Sequence, residues 1–266
     1  MRLEAEKIRL QYGAKTIADS LDFCMEKPEI ISIIGPNGSG KSTVLKALGR
    51  LLKPTRGTVY LDGKNIHKME PKTVARKISI LPQTATAPGD MTIYDLVCYG
   101  RMPHRGMLAS QSDTDEQIIR EAMESAGVYE MRHRNLAGLS GGERQRAWIA
   151  MALAQSPEIL LLDEPTTYLD IYHQLELMQL IRRLYEEKNI AVIMVLHDLN
   201  HAVRFSERLV AVKKGHILAD GPADEVFTEE MLGKLYGVEA TVMHLPIDGR
   251  NVPVCIPYET TNKHLS

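Results

Sequence analysis

Glu29-Ile-Ile-Ser-Ile-Ile34 runs directly into Gly35-Pro-Asn-Gly-Ser-Gly-Lys41-Ser42, and this junction decides the fold. The first half is a short β-branched run that suits a strand buried on both faces, as in a parallel sheet covered by helices. The second half fits GxxxxGK[ST], and residues 43–52 carry on as a helical pattern. Strand, glycine-rich turn and helix in that order make a phosphate cradle. Glycines let the backbone curl so that successive N–H groups face phosphate oxygens, and the helix adds the positive end of its dipole. Lys41 then reaches the β- and γ-phosphates, and the Ser42 hydroxyl can ligate Mg²⁺. Gly35, Pro36, Asn37, Gly38, Ser39, Gly40, Lys41, Ser42 and Thr43 are the expected nucleotide-binding residues of this loop.

Further along, Ile159-Leu-Leu-Leu162 and Ile190-Ala-Val-Ile-Met-Val-Leu196 are similar apolar runs, separated by helical patterns over residues 142–155 and 172–188. Strands alternating with helices predict an α/β fold. Residues 1–25 and 57–62 read instead as antiparallel strands with turns, and residues 88–136 as a helical insertion in the α/β body. Residues 237–266 alternate apolar and polar side chains around Asp248-Gly249, which predicts a β-hairpin. The domain reading is one cassette over 1–236, with a helical subdomain over about 88–156 and a short extension over 237–266.

A nucleoside triphosphatase also needs an acid that holds the metal and a group that readies the attacking water. Asp163-Glu164, at the end of a buried run, supplies both: Asp163 for the Mg²⁺ shell and Glu164 to orient or deprotonate the water. The class of enzyme comes from Leu139-Ser140-Gly141-Gly142-Glu143-Arg144-Gln145. A serine hydroxyl and two glycines opening a helix form a second anion site. Two phosphate-binding helix starts in one chain imply a head-to-tail homodimer, with each nucleotide held between sites of different subunits.

With these motifs in this order, residues 3–236 resemble the ABC ATPases, the nucleotide-binding subunits of ABC transporters. The resemblance implies a P-loop NTPase with a RecA-like core, an antiparallel β subdomain and a helical subdomain. It also implies roles. Gln83, after Ile80-Leu-Pro, matches the Q-loop glutamine that contacts Mg²⁺ or water. Tyr168-Leu169-Asp170 matches the D-loop, so that Asp170 reaches across the dimer. His197 matches the switch histidine at the γ-phosphate, and Tyr12 matches the aromatic that stacks on adenine. Ser140, Gly141, Gly142 and Glu143 become the signature that faces the partner's ATP.

Composition narrows the class. The 266 residues carry 32 basic and 34 acidic side chains, for a formal net charge of −2, which argues against an electrostatic nucleic-acid binder. No apolar stretch approaches the ~20 residues that span a bilayer. Met1-Arg-Leu-Glu-Ala-Glu-Lys7 lacks the apolar core of a signal peptide, and Cys24, Cys98 and Cys255 lack metal or disulfide spacing, which suits a reducing compartment. Ser42 and Ser140 are not separated by heptads, unlike the DNA-repair and chromosome-organising ATPases of the family. Gly100-Arg101-Met102-Pro103-His104 and Thr166-Thr167-Tyr168-Leu169-Asp170-Ile171-Tyr172-His173-Gln174-Leu175 are similar to ATPases of iron–siderophore, haem and cobalamin importers, with Met102 where the family commonly has Tyr.

The resemblance thus implies an ATPase of a ferric siderophore importer, peripheral on the cytoplasmic face of the membrane. ATP and Mg²⁺ are its cofactors. Two permease subunits and an indirect substrate-binding lipoprotein or periplasmic protein are its partners, and nucleic acid is not. A cobalamin, haem or metal-ion importer is the alternative reading, and a soluble nucleic-acid ATPase a remote one.

Overall fold

The Ile30–Ile34 strand, β3, is buried along its whole length, which is why its sequence is apolar without alternation. It is preceded by β1 (Leu3–Tyr12) and β2 (Lys15–Met25), whose alternating burial marks strands with one wet face. A computed structural model describes residues 1–106, 112–247 and 249–261. After β3 come α1 (Lys41–Leu48), β4 (Arg56–Leu61) and β5 (Lys64–Asn65). Next follow α2 (Pro71–Ala75), β6 (Ile78–Leu81), α3 (Ile93–Tyr99), α4 (Asp113–Ser125), α5 (Gly141–Ala154), β7 (Ile159–Asp163) and α6 (Ile171–Lys188). The chain ends with β8 (Ala191–Val195), α7 (Leu199–Phe205), β9 (Arg208–Lys213), β10 (His216–Pro222), α8 (Ala223–Val226), α9 (Glu229–Tyr236), β11 (Val238–Ile247) and β12 (Arg250–Thr260).

Two compact units result: Met1–His67 with Ile193–Ser266, and Lys68–Val192. In the first, β2, β1, β4 and β5 form an antiparallel sheet in that order, while β10, β9, β3 and the end of β8 lie side by side in another. The β3–β9 pairing is parallel and the β9–β10 pairing antiparallel, so this sheet is mixed. Beneath the phosphate loop, Val44, Leu45, Ala47 and Leu48 of α1 are buried. Ser32 and Ser206, buried in the same unit, satisfy each other through a 2.6 Å hydroxyl–hydroxyl hydrogen bond. Strands β9 and β10 and helices α7, α8 and α9 have no counterpart in the sequence reading above. Arg208-Leu-Val-Ala-Val212 is a short apolar run of strand type, but six residues with a charged start are easily passed over.

The carboxyl-terminal strands β11 and β12 pair antiparallel from Val238↔Thr260 to Ile247↔Arg250. Asp248 of the expected turn lies outside the described residues, as do residues 262–266; Gly249 has φ +74°, the left-handed backbone such turns use.

In the second unit, β6 and β7 run parallel, and α3, α4 and α5 form a helical body around Ile93, Leu96, Val97, Ile119, Ala122, Met123, Ala147 and Ile149. Each of these helices starts with a reciprocal capping box: Thr92 with Asp95, Ser112 with Asp115, and Ser140 with Glu143. Asp115 does more than cap. Arg101, only 5% exposed, donates from Nε to Asp115 Oδ1 at 2.8 Å and from Nη1 to the Ala154 carbonyl at 2.8 Å. The Arg101 guanidinium holds the Asp115 carboxyl below the usual carboxylate range. Within Gly100-Arg101-Met102-Pro103-His104, Arg101 is thus an internal staple, and Met102 is the exposed side chain of the string.

Arg101→Ala is expected to destabilise the protein by about 3 kcal/mol, because the buried Asp115 carboxylate loses its closest cation and keeps only Arg105, at 3.5 Å. Denaturant midpoints check this. Since the Asp115 pKa is depressed on folding, the pair's contribution is present above the ordinary carboxylate range and is lost as pH falls below it.

Candidate functional site

The phosphate loop lies in the first unit. Lys41 starts α1 and is 5% exposed; its Nζ donates to the carbonyls of Gly35 at 2.8 Å and Pro36 at 3.1 Å, so the loop folds around the ammonium group. Gly35 has φ +149°, and a Cβ there would meet the Val212 carbonyl oxygen at 2.1 Å, so only glycine fits. The loop is tied down by Gly215 N–H to Ser39 O at 2.9 Å and Ser39 N–H to Pro36 O at 3.2 Å.

Helix α1 differs from α3, α4 and α5 in one respect. Gly40 occupies its N-cap with no side-chain cap, and its first turn holds no acidic residue. First-turn N–H groups have no intrahelical acceptor, and a helix start left without side-chain caps is suited to an anion. Ser39 Oγ, buried and without a hydrogen-bond partner among the described residues, adds a polar atom at the same loop. This environment fits a polyphosphate. Ser42 and Thr43, the second and third residues of α1, are half-buried. Tyr12, at the end of β1, is 50% exposed. His197 follows β8 after the buried Leu196 and is exposed.

The second unit holds the acid pair. Asp163 closes the fully buried β7 and is 4% exposed. Glu164 then turns out of the strand with φ +52°, a left-handed backbone that non-glycine residues adopt at a cost of about 1–3 kcal/mol. Its Oε2 accepts from Gln83 Nε2 at 2.6 Å and from Thr167 Oγ1 at 3.2 Å. Gln83 and Glu164, 81 positions apart in the chain, are thus brought together. The amide nitrogen must face the carboxylate, which leaves the amide oxygen of Gln83 as the end that can meet a cation. Ser42, Asp163 and Gln83 offer hydroxyl, carboxylate and amide oxygens, the hard donors that Mg²⁺ takes. Among the described residues no three His, Cys, Asp or Glu side chains are grouped to hold a metal ion.

The signature residues open α5. Ser140 Oγ accepts the Glu143 N–H at 3.3 Å, while the Glu143 carboxylate accepts the Ser140 N–H at 2.8 Å and pairs with Arg134 at 2.9 Å. The Ser140 backbone N–H at this helix start therefore already has its acceptor. That N–H and cap hold the Glu143 carboxyl below its ordinary range. The structure makes Glu143 a capping residue; the Ser140 hydroxyl proton is the donor still able to turn toward a phosphate.

Gly142 is held by packing, since a Cβ there would lie 2.6 Å from the His173 ring. His173 in turn meets Glu176 at 3.0 Å, and Arg146 meets the same carboxylate oxygen at 2.8 Å. The starts of α5 and α6 are thereby locked together. Asp170 caps α6 by accepting the His173 N–H at 2.9 Å, and Tyr168, Ile171 and Tyr172 beside it are 94%, 76% and 66% exposed. Exposed large apolar side chains in one short segment mark an interaction surface.

Sequence reasoning did not assign Thr167 or His173 a role. Both sit in the Thr166-to-Leu175 string, but their partners come from the folded backbone: Thr167 returns to Glu164 and His173 lies on Gly142. A caution for mutagenesis follows. Gly142→Ala is expected to lower the denaturation midpoint through the His173 clash as well as to affect activity.

An uncapped glycine loop at a helix start, together with an acid pair at a strand end, defines an ATP-binding cassette of the P-loop kind. The chain matches the ABC transporter family model over residues 18–167 and belongs to that family. It is 47% identical to the iron(3+)-hydroxamate import ATP-binding protein FhuC of Bacillus subtilis over 257 residues, covering 97% of this chain and 95% of that protein. In structure it is similar to a metal-chelate type ABC transporter in an inward-facing conformation, with TM-score 0.85 and 26% identity over 97% of this chain and 98% of the other. It is also similar to a dimeric ATP-binding cassette in a post-hydrolysis state with ADP and Pi bound, with TM-score 0.72 and 29% identity over 83% and 98%. Among the described residues no helix is long and apolar enough to cross a membrane.

Proposed function

We propose that this protein is the ATP-hydrolysing subunit of an ABC importer for ferric siderophores or related iron chelates. The near full-length likeness to an iron(3+)-hydroxamate import ATP-binding protein carries this reading. Two copies close head to tail on two ATP, dock at the cytoplasmic face beneath two permease subunits, and couple hydrolysis to rearrangement of the pathway. A separate lipoprotein or periplasmic protein delivers the chelate.

In this reading residues 35–43 and Lys41 hold the triphosphate, Tyr12 stacks on adenine, and His197 touches the γ-phosphate. Ser42, Asp163 and Gln83 would hold Mg²⁺, which would supply positive charge against the phosphate oxygens. Glu164 orients the attacking water and takes its proton. The uncapped start of α1 and the enclosed Lys41 ammonium support the phosphate role; the Gln83–Glu164 hydrogen bond supports a joint role for those two side chains. Ser140, Gly141, Gly142 and Glu143 face the ATP bound by the other subunit, and Asp170 reaches across beside them.

Deleting the gene should abolish growth when one ferric siderophore is the only iron source, while growth on excess ferrous iron continues. Restoring the wild-type gene should recover growth, and restoring a Glu164→Gln version should not. Unimpaired growth of the deletion strain on each chelate tested, iron(III)-hydroxamates included, would reject the substrate class.

A further inference from the structure

Tyr236 ends α9, two residues before the carboxyl-terminal hairpin begins at Val238, and its hydroxyl accepts the Gly35 N–H at 2.9 Å. Gly35 opens the phosphate loop. Its carbonyl receives Lys41 Nζ, and its α-carbon is pressed against Val212 of β9. The one peptide through which the chain leaves β3 is thus gripped by a phenol, an ammonium group and a neighbouring strand. Burial pushes the Tyr236 phenol up to about 12, so the hydroxyl stays neutral and its oxygen remains a constant acceptor across physiological pH.

The hairpin that follows α9 makes a second contact, with α7. Asn200 Oδ1 accepts the Cys255 N–H at 2.8 Å, and its Nδ2 donates to the Cys255 carbonyl at 3.4 Å. Asn200 sits in the first turn of α7, which Asp198 caps by accepting the His201 N–H at 2.8 Å. That turn begins two residues after His197. The carboxyl-terminal segment therefore has two hydrogen-bonded anchors: Tyr236 at the end of α9 holds the phosphate loop, and Cys255 of the hairpin β11–β12 holds α7, the helix that follows His197.

We propose that Tyr236 and Asn200 are positioning residues of the nucleotide site, through which the carboxyl-terminal segment sets the phosphate loop, by way of α9, and the segment carrying His197, by way of the hairpin β11–β12. The proposal rests on the ATPase reading above. It separates two effects. Tyr236 acts on the loop that binds phosphate, so it governs nucleotide affinity. Asn200 acts behind His197, so it governs the rate once nucleotide is bound.

Tyr236→Phe removes one oxygen and keeps the ring, leaving the Gly35 N–H without its acceptor. It is expected to raise the Kd for ATP about five- to tenfold, read by titration with a fluorescent ATP analogue, with kcat little changed. Asn200→Ala is expected to lower kcat about five- to tenfold with Kd unchanged. Asn200→Asp, which keeps the oxygen that accepts the Cys255 N–H, should retain most of the wild-type rate. A purely structural role would lower denaturation midpoints and leave both constants at wild-type values; that result, for both variants, overturns the proposal. Wild-type protein in the same assays separates the two levels: if it neither binds nor hydrolyses ATP, the ATPase reading falls and this proposal with it. If it does both, only the variants decide.

Discussion

Glu164→Gln should bind ATP with wild-type affinity and hydrolyse it about 10²–10⁴-fold more slowly, the range that a positioned general base contributes. The substitution is close to isosteric and should change little else. The left-handed backbone at position 164 is set by the turn out of β7 and by the Thr167 N–H, which donates to the Glu164 carbonyl at 3.2 Å. The Thr167 hydroxyl can still donate to the amide oxygen of Gln, and Gln83 can still meet that side chain. What disappears is the carboxylate that takes a proton from water. Single-turnover hydrolysis against equilibrium ATP binding separates these effects, and near-normal turnover would remove Glu164 from the mechanism. A slow enzyme that keeps its ATP should also accumulate as the nucleotide-bound dimer, visible by size-exclusion chromatography.

Ser140→Arg is the second large effect expected. Ser140 caps α5, and losing such a cap costs about 0.5–2 kcal/mol, which a chain of this size tolerates. The functional cost is greater. An arginine at the helix start replaces a hydroxyl small enough to meet a partner's phosphate with a long side chain across the same approach. ATP-driven dimerisation should be lost and hydrolysis should fall at least about 100-fold, by analogy with removing a single oriented donor from a transition-state site. ATP binding by the single chain should survive, because the phosphate loop lies elsewhere. If the variant still dimerises on ATP, the head-to-tail arrangement is wrong.

How much of this was legible in the sequence depends on whether a feature is local. The loop at 35–42 was readable because a strand, a glycine turn and a helix start are consecutive, and the physics of each is written in adjacent residues. The continuous apolar runs gave β3, β7 and β8 for the same reason. The string around Arg101 was harder. Arginine in a Gly/Pro/His-rich stretch looks solvated, and only the distant Asp115 and Ala154 turn it inward. Glu143 shows the converse: its spacing from Ser140 is the capping-box spacing, yet beside two glycines it reads as part of an anion site. Tyr236 carried no signal, since a lone tyrosine near a chain end has no pattern, and its partner is 201 positions away.

The unequal caps of α1 and α5 have a consequence for chronology. One helix start meets nucleotide with no side-chain cap; the other presents its own carboxylate in the place an anion would take. A single chain should therefore load its phosphate loop first and have no reason to fill the signature site from solution. In the head-to-tail arrangement proposed above, a triphosphate already fixed on another copy, at an effective concentration that free nucleotide does not match, is what would draw the Ser140 hydroxyl toward it. Order of assembly, loading before closure, is then built into which helix carries a cap.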